Sequence, residues 1–367
     1  MRVVIPHMGN IHIALRAMLE GVGADYIIPP QNSRRTLDLG VANSPEQVCL
    51  PFKLTLGNFI EGLEMGGDTL AFTEARGICR LGYYFRVQTQ ALENLGYRFK
   101  TITLKDHSLG AILWLMKQLT PKASLLKRVG ALRFALAKLK SLDILEGLVH
   151  RLRPREAVRG TVTTIYRKGV NDVDNASTMR ELKQEERDYV ARLLGVSVHN
   201  ADPLKIGVMG EFFVVLDPFS NLDIEMELGK LGCEVCRTIM LSKWTNFTLF
   251  LNPFGVTDTR RLHKAAMPYL SRDVGGEGWE TVGEKVMRAH ELDGLIHLYP
   301  FGCLPEIVAR NIITPMQDGI PMLHVPLDEQ TARSGLLTRL EAFVDMVRRK
   351  KEKQGGLTCR RANFQKG

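Results

Sequence analysis

Short apolar segments alternate with amphipathic ones along most of the chain. Residues 2–6 have the continuous apolar character of a buried strand, residues 11–21 carry apolar side chains at helical spacing, and residues 25–28 predict a second strand. The alternation continues with a helix after Pro51, a strand at 68–73, a helix at 81–95 that ends at Gly96, and a strand at 98–104. This alternation is typical of a parallel sheet covered by helices.

The middle of the chain follows a different pattern, because residues 109–194 are mostly helical, basic and rich in leucine. Alternation resumes at Leu204 with the predicted strand KIGVMGEFFVV, a helix at 221–231, strands at 294–299 and 321–325, and a final helix at 336–350. The predicted fold class is therefore α/β, with two doubly wound parallel-sheet (flavodoxin-like) domains and a helical insertion. The predicted units are an α/β domain at 1–108, a basic helical insertion or connecting region at 109–200, a second α/β domain at 201–353 and a flexible basic tail at 354–367.

Composition and length agree with a soluble protein of two or three domains. The chain has 367 residues, of which 45% are hydrophobic and 24% charged. No apolar run reaches the roughly 20 residues that span a bilayer, and the start lacks the features of a secretory signal. We therefore expect a cytoplasmic protein that has no membrane partner.

The net charge of +9 is concentrated in one region. Residues 101–170 contain 14 Lys and Arg but only 4 Asp and Glu, a net +10, so the rest of the chain is nearly neutral. Such a region attracts nucleic acid, an acidic protein or an anionic coenzyme, or it is simply a solvated helical face. Because it lacks interleaved aromatic residues and any nucleic-acid fold signature, we expect no nucleic-acid partner.

Three of the six cysteines stand out by their positions. Cys49 precedes a predicted helix that contains Pro51, Cys79 lies in a glycine-bearing loop after a strand, and Cys303 precedes another helix that contains Pro305. All three are predicted at the carboxyl ends of strands and at the amino ends of helices. Helix N-termini favour negative charge, so we expect them to lower the pKa of the thiols and to favour an anionic ligand.

Three thiolates from separate loops suit a [4Fe-4S] cluster with one iron open to water or substrate. A zinc ion with water or a histidine such as His7 as fourth ligand is the alternative metal site. The same cysteines also suit small buried side chains in loops. Cys233 and Cys236 form a C-x-x-C that overlaps a predicted strand, which favours structural thiols, and Cys359 is expected to be a free thiol.

The segments CLPFKLTLGNFIEGLEMGGDTL, GICRLGYYFRVQTQALENLGY, PFGCLPEIV and LDEQTARSGLLTRLEAFVDM resemble the 2-hydroxyglutaryl-CoA dehydratase superfamily. The greatest similarity is to its CoA-protein-activase-like (activase-related) branch. The resemblance implies α/β domains, a cysteine-held iron-sulfur cluster, and reduction by an ATP-hydrolysing activator that is itself an iron-sulfur protein. It assigns the cluster ligands to Cys49, Cys79 and Cys303, and three such cysteines favour a single cubane.

Other side chains near these cysteines are candidates for chemistry. Lys53 and Arg80 are expected to donate to sulfide or to an anionic substrate, or else to form surface salt bridges. Glu74, Asp328 and Glu329 are candidate proton donors, although Asp328 also suits helix capping.

The leading functional hypothesis is an oxygen-sensitive iron-sulfur protein that receives low-potential electrons for reductive or dehydratase-like chemistry on a small molecule or acyl-CoA. The alternative is a non-catalytic subunit or scaffold that docks the activator, a sister subunit or a second copy, with a structural metal or none. The sequence contains no Walker loop G-x-x-x-x-G-K-[ST], so ATP hydrolysis is expected in a partner. It also lacks G-x-G-x-x-G after a strand, which argues against a Rossmann dinucleotide site.

Overall fold

The computed structural model describes residues 1–73, 79–104, 108–246 and 259–364. Within these ranges the strands form two four-stranded sheets, each entirely parallel. The strands are β1 (Arg2–Val4), β2 (Asp25–Ile27), β3 (Thr69–Thr73), β4 (Lys100–Leu104), β5 (Leu204–Gly210), β6 (Cys233–Arg237), β7 (Gly294–Pro300) and β8 (Met322–Leu327). Their spatial orders are β2-β1-β3-β4 and β6-β5-β7-β8. Each order matches the first four strands of the flavodoxin-like order 2-1-3-4-5, which confirms the predicted fold class.

Helices cover the first sheet and carry clear end signals. Ser33 caps one of them, because its hydroxyl accepts the backbone N–H of Thr36 while the Thr36 hydroxyl accepts that of Ser33. Gly96 has φ +84 and follows the end of another, as the sequence predicted. The helices of this half are α1 (Ile11–Val22), α2 (Arg34–Ala42), α3 (Leu50–Glu64) and α4 (Tyr84–Asn94), the last preceded by a 3₁₀ turn (Arg80–Tyr83).

The middle region is helical, as predicted. Its long second helix packs on α1 through Ala131, Leu132 and Ala135, and it forms a separate small bundle with the two helices that follow. Tyr189 and Leu145 are buried in that bundle. The helices are α5 (Leu109–Leu119), α6 (Leu125–Leu152), α7 (Thr161–Asn175) and α8 (Met179–Leu194).

The second half differs from the sequence prediction at two places. KIGVMGEFFVV is not one strand, because Gly210 has φ +131 and the Glu211 side chain caps a short helix that takes up the following apolar residues. The last helix reaches Phe364 and includes most of the predicted tail, whose flexibility stays a prediction. The helices are α9 (Phe212–Leu216), α10 (Ile224–Lys230), α11 (Leu241–Asn246), α12 (Thr259–Ala266), α13 (Gly278–Arg288), α14 (Leu304–Ile313) and α15 (Arg333–Phe364).

The two sheet-bearing halves share an apolar core. Leu37 of α2 and Leu50 and Leu54 of α3 belong to the same buried cluster as Ile206 and Val325 of the second sheet. This contact brings the amino end of α3 against the second half, where the candidate site lies. No helix among the described residues has the combination of length and apolar character needed to cross a bilayer.

Candidate site: a cavity lined by three cysteines

Each of the three predicted cysteines occupies a helix N-cap. Cys49 caps α3, Cys79 caps the 3₁₀ turn before α4, and Cys303 caps α14, all with extended backbone. None of the three sulfurs forms a cap hydrogen bond, although the backbone N–H groups of Phe52, Leu81 and Glu306 lower the pKa of the respective thiols. The prediction of helix N-termini is therefore confirmed for all three.

The prediction that all three follow strands is wrong for Cys49. Cys303 comes soon after β7, and Cys79 follows β3, although residues 74–78 lie outside the described part. Cys49 instead follows α2 and a loop. Helix α2, which the sequence pattern did not predict, accounts for the difference.

The three thiols line a single cavity of about 820 Å³. That volume is within the range of ligand pockets, about 300–1,000 Å³. Both halves of the molecule contribute to its walls. The lining residues belong to four segments, 46–53, 79–84, 301–305 and 327–330.

Burial has the largest effect on the pKa of each of these thiols. It raises the pKa of Cys49 to about 11 and raises those of Cys79 and Cys303 as well, while the nearby backbone N–H groups lower them by less. The carboxylate of Glu211 raises all three further. The expectation that helix N-termini give low-pKa thiols is therefore wrong for the chain by itself, because desolvation outweighs the effect of the nearby N–H groups. A bound metal reverses this balance, since a coordinating thiol is deprotonated outright.

Glu211 was not singled out by the sequence analysis. It follows β5 and caps α9, accepting N–H bonds from Phe213 (3.1 Å) and Val214 (3.0 Å). Burial raises its pKa to about 7, the two N–H bonds lower it, and the charge of Glu306 raises it again. The sequence analysis placed Glu211 inside the predicted strand KIGVMGEFFVV, so its position at the carboxyl end of β5, where site residues gather, was hidden. Burial and the charges of Glu211 and Glu306 likewise raise the pKa of Glu277 well above its usual range.

Glu306, which follows the cavity-lining residue Pro305, is connected to the surface through hydrogen bonds. Its carboxylate lies 2.7 Å from His297 Nε2, and both side chains are fully buried. His297 Nδ1 lies 3.1 Å from His324 Nδ1, whose Nε2 lies 3.3 Å from the hydroxyl of exposed Thr314. Thr281 donates to the other Glu306 oxygen at 3.2 Å. A buried carboxylate beside Cys303 therefore has a continuous polar connection to solvent.

Lys53 and Arg80, the two predicted cationic site residues, both have bonding partners within the chain. Lys53 is buried, and its Nζ lies 2.6 Å from Glu329 Oε1. Arg80 donates to the carbonyl of Gln47 at 3.0 Å and to that of Gly302 at 2.9 Å, so it joins the two halves across the cavity. The expectation that they bind sulfide or an anionic substrate stays a prediction, and both have structural partners.

The three predicted proton donors, Glu74, Asp328 and Glu329, differ in what the structure shows of them. Glu74 lies outside the described residues. Asp328 accepts bonds from the Gln330 N–H at 3.0 Å and the Thr331 hydroxyl at 2.7 Å, which shape the turn before α15. Glu329 pairs with Lys53, as described above.

The remaining candidate ligands lie elsewhere. His7 is hydrogen-bonded to the Pro29 carbonyl at 2.8 Å and is absent from the cavity lining. Cys233 and Cys236 lie in β6, where a spacing of three residues directs their side chains to opposite faces, as expected for structural thiols. Among the described residues, no three His, Cys, Asp or Glu side chains lie close enough to hold a single metal ion. A cluster of several irons contacts each cysteine through a different iron and so requires wider spacing.

A smaller cavity of about 280 Å³ adjoins the first one at Cys49. The hydroxyl of Tyr84, another residue that the sequence analysis did not single out, contacts the sulfur of Cys49, and Tyr84 lines both cavities. The walls are mostly apolar or aromatic. They consist of Val48, Cys49, Phe52, Arg80, Tyr83, Tyr84 and Val87.

Comparison with known proteins assigns no family or function to this cavity. No protein-family model matches the chain, and no curated protein matches it.

Proposed function

We propose that the chain holds an oxygen-sensitive [4Fe-4S] cluster on Cys49, Cys79 and Cys303 and receives low-potential electrons from an ATP-dependent activator for reductive or dehydratase-like chemistry. The observation that carries the proposal is the convergence of three thiols, far apart in sequence, on one cavity. When bound, such a cluster supplies one-electron chemistry and, with three protein ligands, one open iron. The resemblance to the 2-hydroxyglutaryl-CoA dehydratase superfamily supports the same proposal.

The donor set fits this group. Each cysteine is a helix N-cap, where a backbone N–H group lowers the pKa of the thiol and so favours thiolate charge. Glu211 places a fourth acidic group near the thiols, but its pKa of about 7 leaves it partly neutral near neutral pH. The site can therefore accept a thiolate-ligated cluster without the full repulsion of an additional anion.

The smaller cavity is a candidate binding place for part of a substrate. The smaller cavity beside Cys49 exposes only apolar surface, which suits a small apolar group. We assign Tyr84, whose hydroxyl contacts the sulfur of Cys49, the role of holding or supplying a proton beside that thiol.

The test is purification without oxygen, followed by measurement of iron, acid-labile sulfide and the EPR spectrum of the reduced protein. We expect a brown protein with about four iron and four sulfide per chain. A colourless, iron-free protein prepared strictly without oxygen would contradict the proposal, and zinc without visible absorption would replace the cluster with a zinc site.

A second candidate function is a non-catalytic subunit or scaffold that docks the activator or a sister chain. The observation that favours it is that Lys53 and Arg80, the predicted substrate-binding cations, instead bind Glu329 and two backbone carbonyls and so connect the two halves of the molecule. Anaerobic replacement of Cys79 by Ala distinguishes the two functions. Loss of redox turnover with partner binding intact supports the reductase, whereas loss of partner binding without loss of turnover supports the scaffold.

A further inference from the structure

A surface at the junction of α5 and α6 combines exposed apolar side chains with uncompensated positive charge. We call it the α5–α6 surface. Its apolar members are all at least partly exposed, and Leu126 (85% exposed) and Leu125 (60%) protrude most. They are Trp114, Leu125, Leu126 and Val129.

The charge of this surface has one sign. Residues 109–142 contain seven Lys and Arg and no Asp or Glu. Lys117, Lys122, Lys127 and Arg133 are exposed, and none of them forms an ion pair with another described residue. The positive field of the α5–α6 surface is therefore available to a partner.

The exposed apolar and basic residues at the start of α6 share one face of the helix. Leu126, Val129 and Arg133 lie at i, i+3 and i+7 of α6, on one stripe. The opposite stripe, which includes Ala131 and Ala135, is buried against α1. The apolar and basic side chains at the start of α6 consequently face outward together.

Trp114 lies near the same place. A turn of five residues, 120–124, joins the two helices, and Trp114 is five residues before the end of α5, or about 8 Å along its axis. Trp114 therefore lies within about two helical turns of the connection that leads to Leu125 and Leu126.

We propose that the α5–α6 surface binds the face of an anionic lipid bilayer. Leucine and tryptophan side chains enter the boundary between headgroups and acyl chains, while lysines stay at the charged headgroups. The composition argues against an acidic protein, because lysine is depleted at protein interfaces and leucine rarely forms their energetic centre.

This association needs no spanning helix. The sequence expectation of no membrane partner rested on the lack of a spanning segment, and interfacial binding does not require one. The proposal is independent of the cluster, since every residue named for the α5–α6 surface lies outside the thiol cavity.

The test is flotation of the full chain with vesicles. One set contains phosphatidylcholine alone, and the other contains phosphatidylcholine with about 30% phosphatidylglycerol, in NaCl at about 50 mM and about 500 mM. We expect binding to the anionic vesicles at least about tenfold tighter than to the neutral ones, and weaker at high salt.

Two double variants separate the apolar and the charged contributions. Leu125→Ser with Leu126→Ser, and Lys122→Glu with Lys127→Glu, are each expected to weaken vesicle binding by at least about tenfold. The matched control is Val158→Ser with Leu194→Ser, which removes two exposed apolar side chains elsewhere in the helical region and should leave binding unchanged. Thermal unfolding followed by circular dichroism verifies that each variant is folded.

Three outcomes would overturn the proposal. The folded chain floats with neither kind of vesicle, or the leucine variant binds like the wild type, or binding is found only to poly-L-glutamate, which indicates an acidic protein partner. Concentration-dependent self-association that the leucine variant abolishes, without vesicle binding, would assign the surface to a second copy of this chain.

Discussion

The ammonium of Lys53 lies 2.6 Å from Oε1 of Glu329, so a lysine of α3 is paired with a residue that precedes α15 in the other half of the molecule. Lys53 is only 3% exposed, and both residues line the thiol cavity. The pair therefore closes one wall of the site and connects the halves that must come together to form it.

Glu329→Gln should destabilise the chain by about 2 kcal/mol, because it leaves a buried ammonium without a charged partner. Lys53→Met combined with Glu329→Gln should recover most of that loss, since it removes the unpaired charge. Urea unfolding measures both. The exposed pair Arg34 and Asp38 offers a control, and Asp38→Asn should cost less than about 1 kcal/mol. A double variant as unstable as Glu329→Gln would contradict this account.

Replacing Cys49, Cys79 or Cys303 singly by Ala should remove most of the iron and sulfide from anaerobically prepared protein, because each is expected to hold one iron. Cys236→Ala is the matched control, since Cys236 lies in β6 away from the cavity and should leave the iron content unchanged. Iron, sulfide and the visible spectrum are the measurements. Equal iron loss in all four variants would argue for destabilisation in place of ligation.

Glu225 should govern part of the acid stability. Burial alone would raise its pKa, but Arg237 and His150 outweigh burial and lower the pKa to about 2. Because the folded pKa is below the unfolded value of 4.5, the stabilisation is present above about pH 4.5 and is lost as the pH falls toward 2. The shift corresponds to about 3 kcal/mol.

The variant Glu225→Gln should therefore be less stable than the wild type at pH 7, and the difference between them should shrink as the pH falls below 4.5. Urea unfolding at neutral and acidic pH measures this. A difference that stays constant over the whole range would show that the ion pair does not control acid stability.

Gly210→Ala should destabilise the chain by several kcal/mol and disturb the cap formed by Glu211. Gly210 has φ +131, and a Cβ there would meet the Leu298 carbonyl oxygen at 1.9 Å. Gly147 in α6 is the control, because a Cβ there meets nothing within 4 Å. Gly147→Ala should stabilise by about 0.5–1 kcal/mol. Thermal unfolding compares the two, and equal effects would contradict the steric argument.

Local sequence patterns were sufficient to predict the two sheet-bearing units and part of the candidate site. Period-two and helical spacing depend on neighbouring residues, so strands such as β7 and helices such as α1 could be predicted within one or two residues. The repeated Cys-Leu-Pro at Cys49 and Cys303 indicated two helix N-termini for the same local reason. The failure at Gly210 was also local, because the apolar run after it fits a strand and a buried helix equally well.

The sequence by itself thus determined the two α/β units, the helical region between them and the helix N-caps of the three cysteines. Only the tertiary structure decided that the thiols share one cavity, that Lys53 pairs with Glu329, and that burial raises the pKa of the thiols. The physical reason is that burial and charge pairing depend on residues hundreds of positions apart, whose proximity no local periodicity encodes.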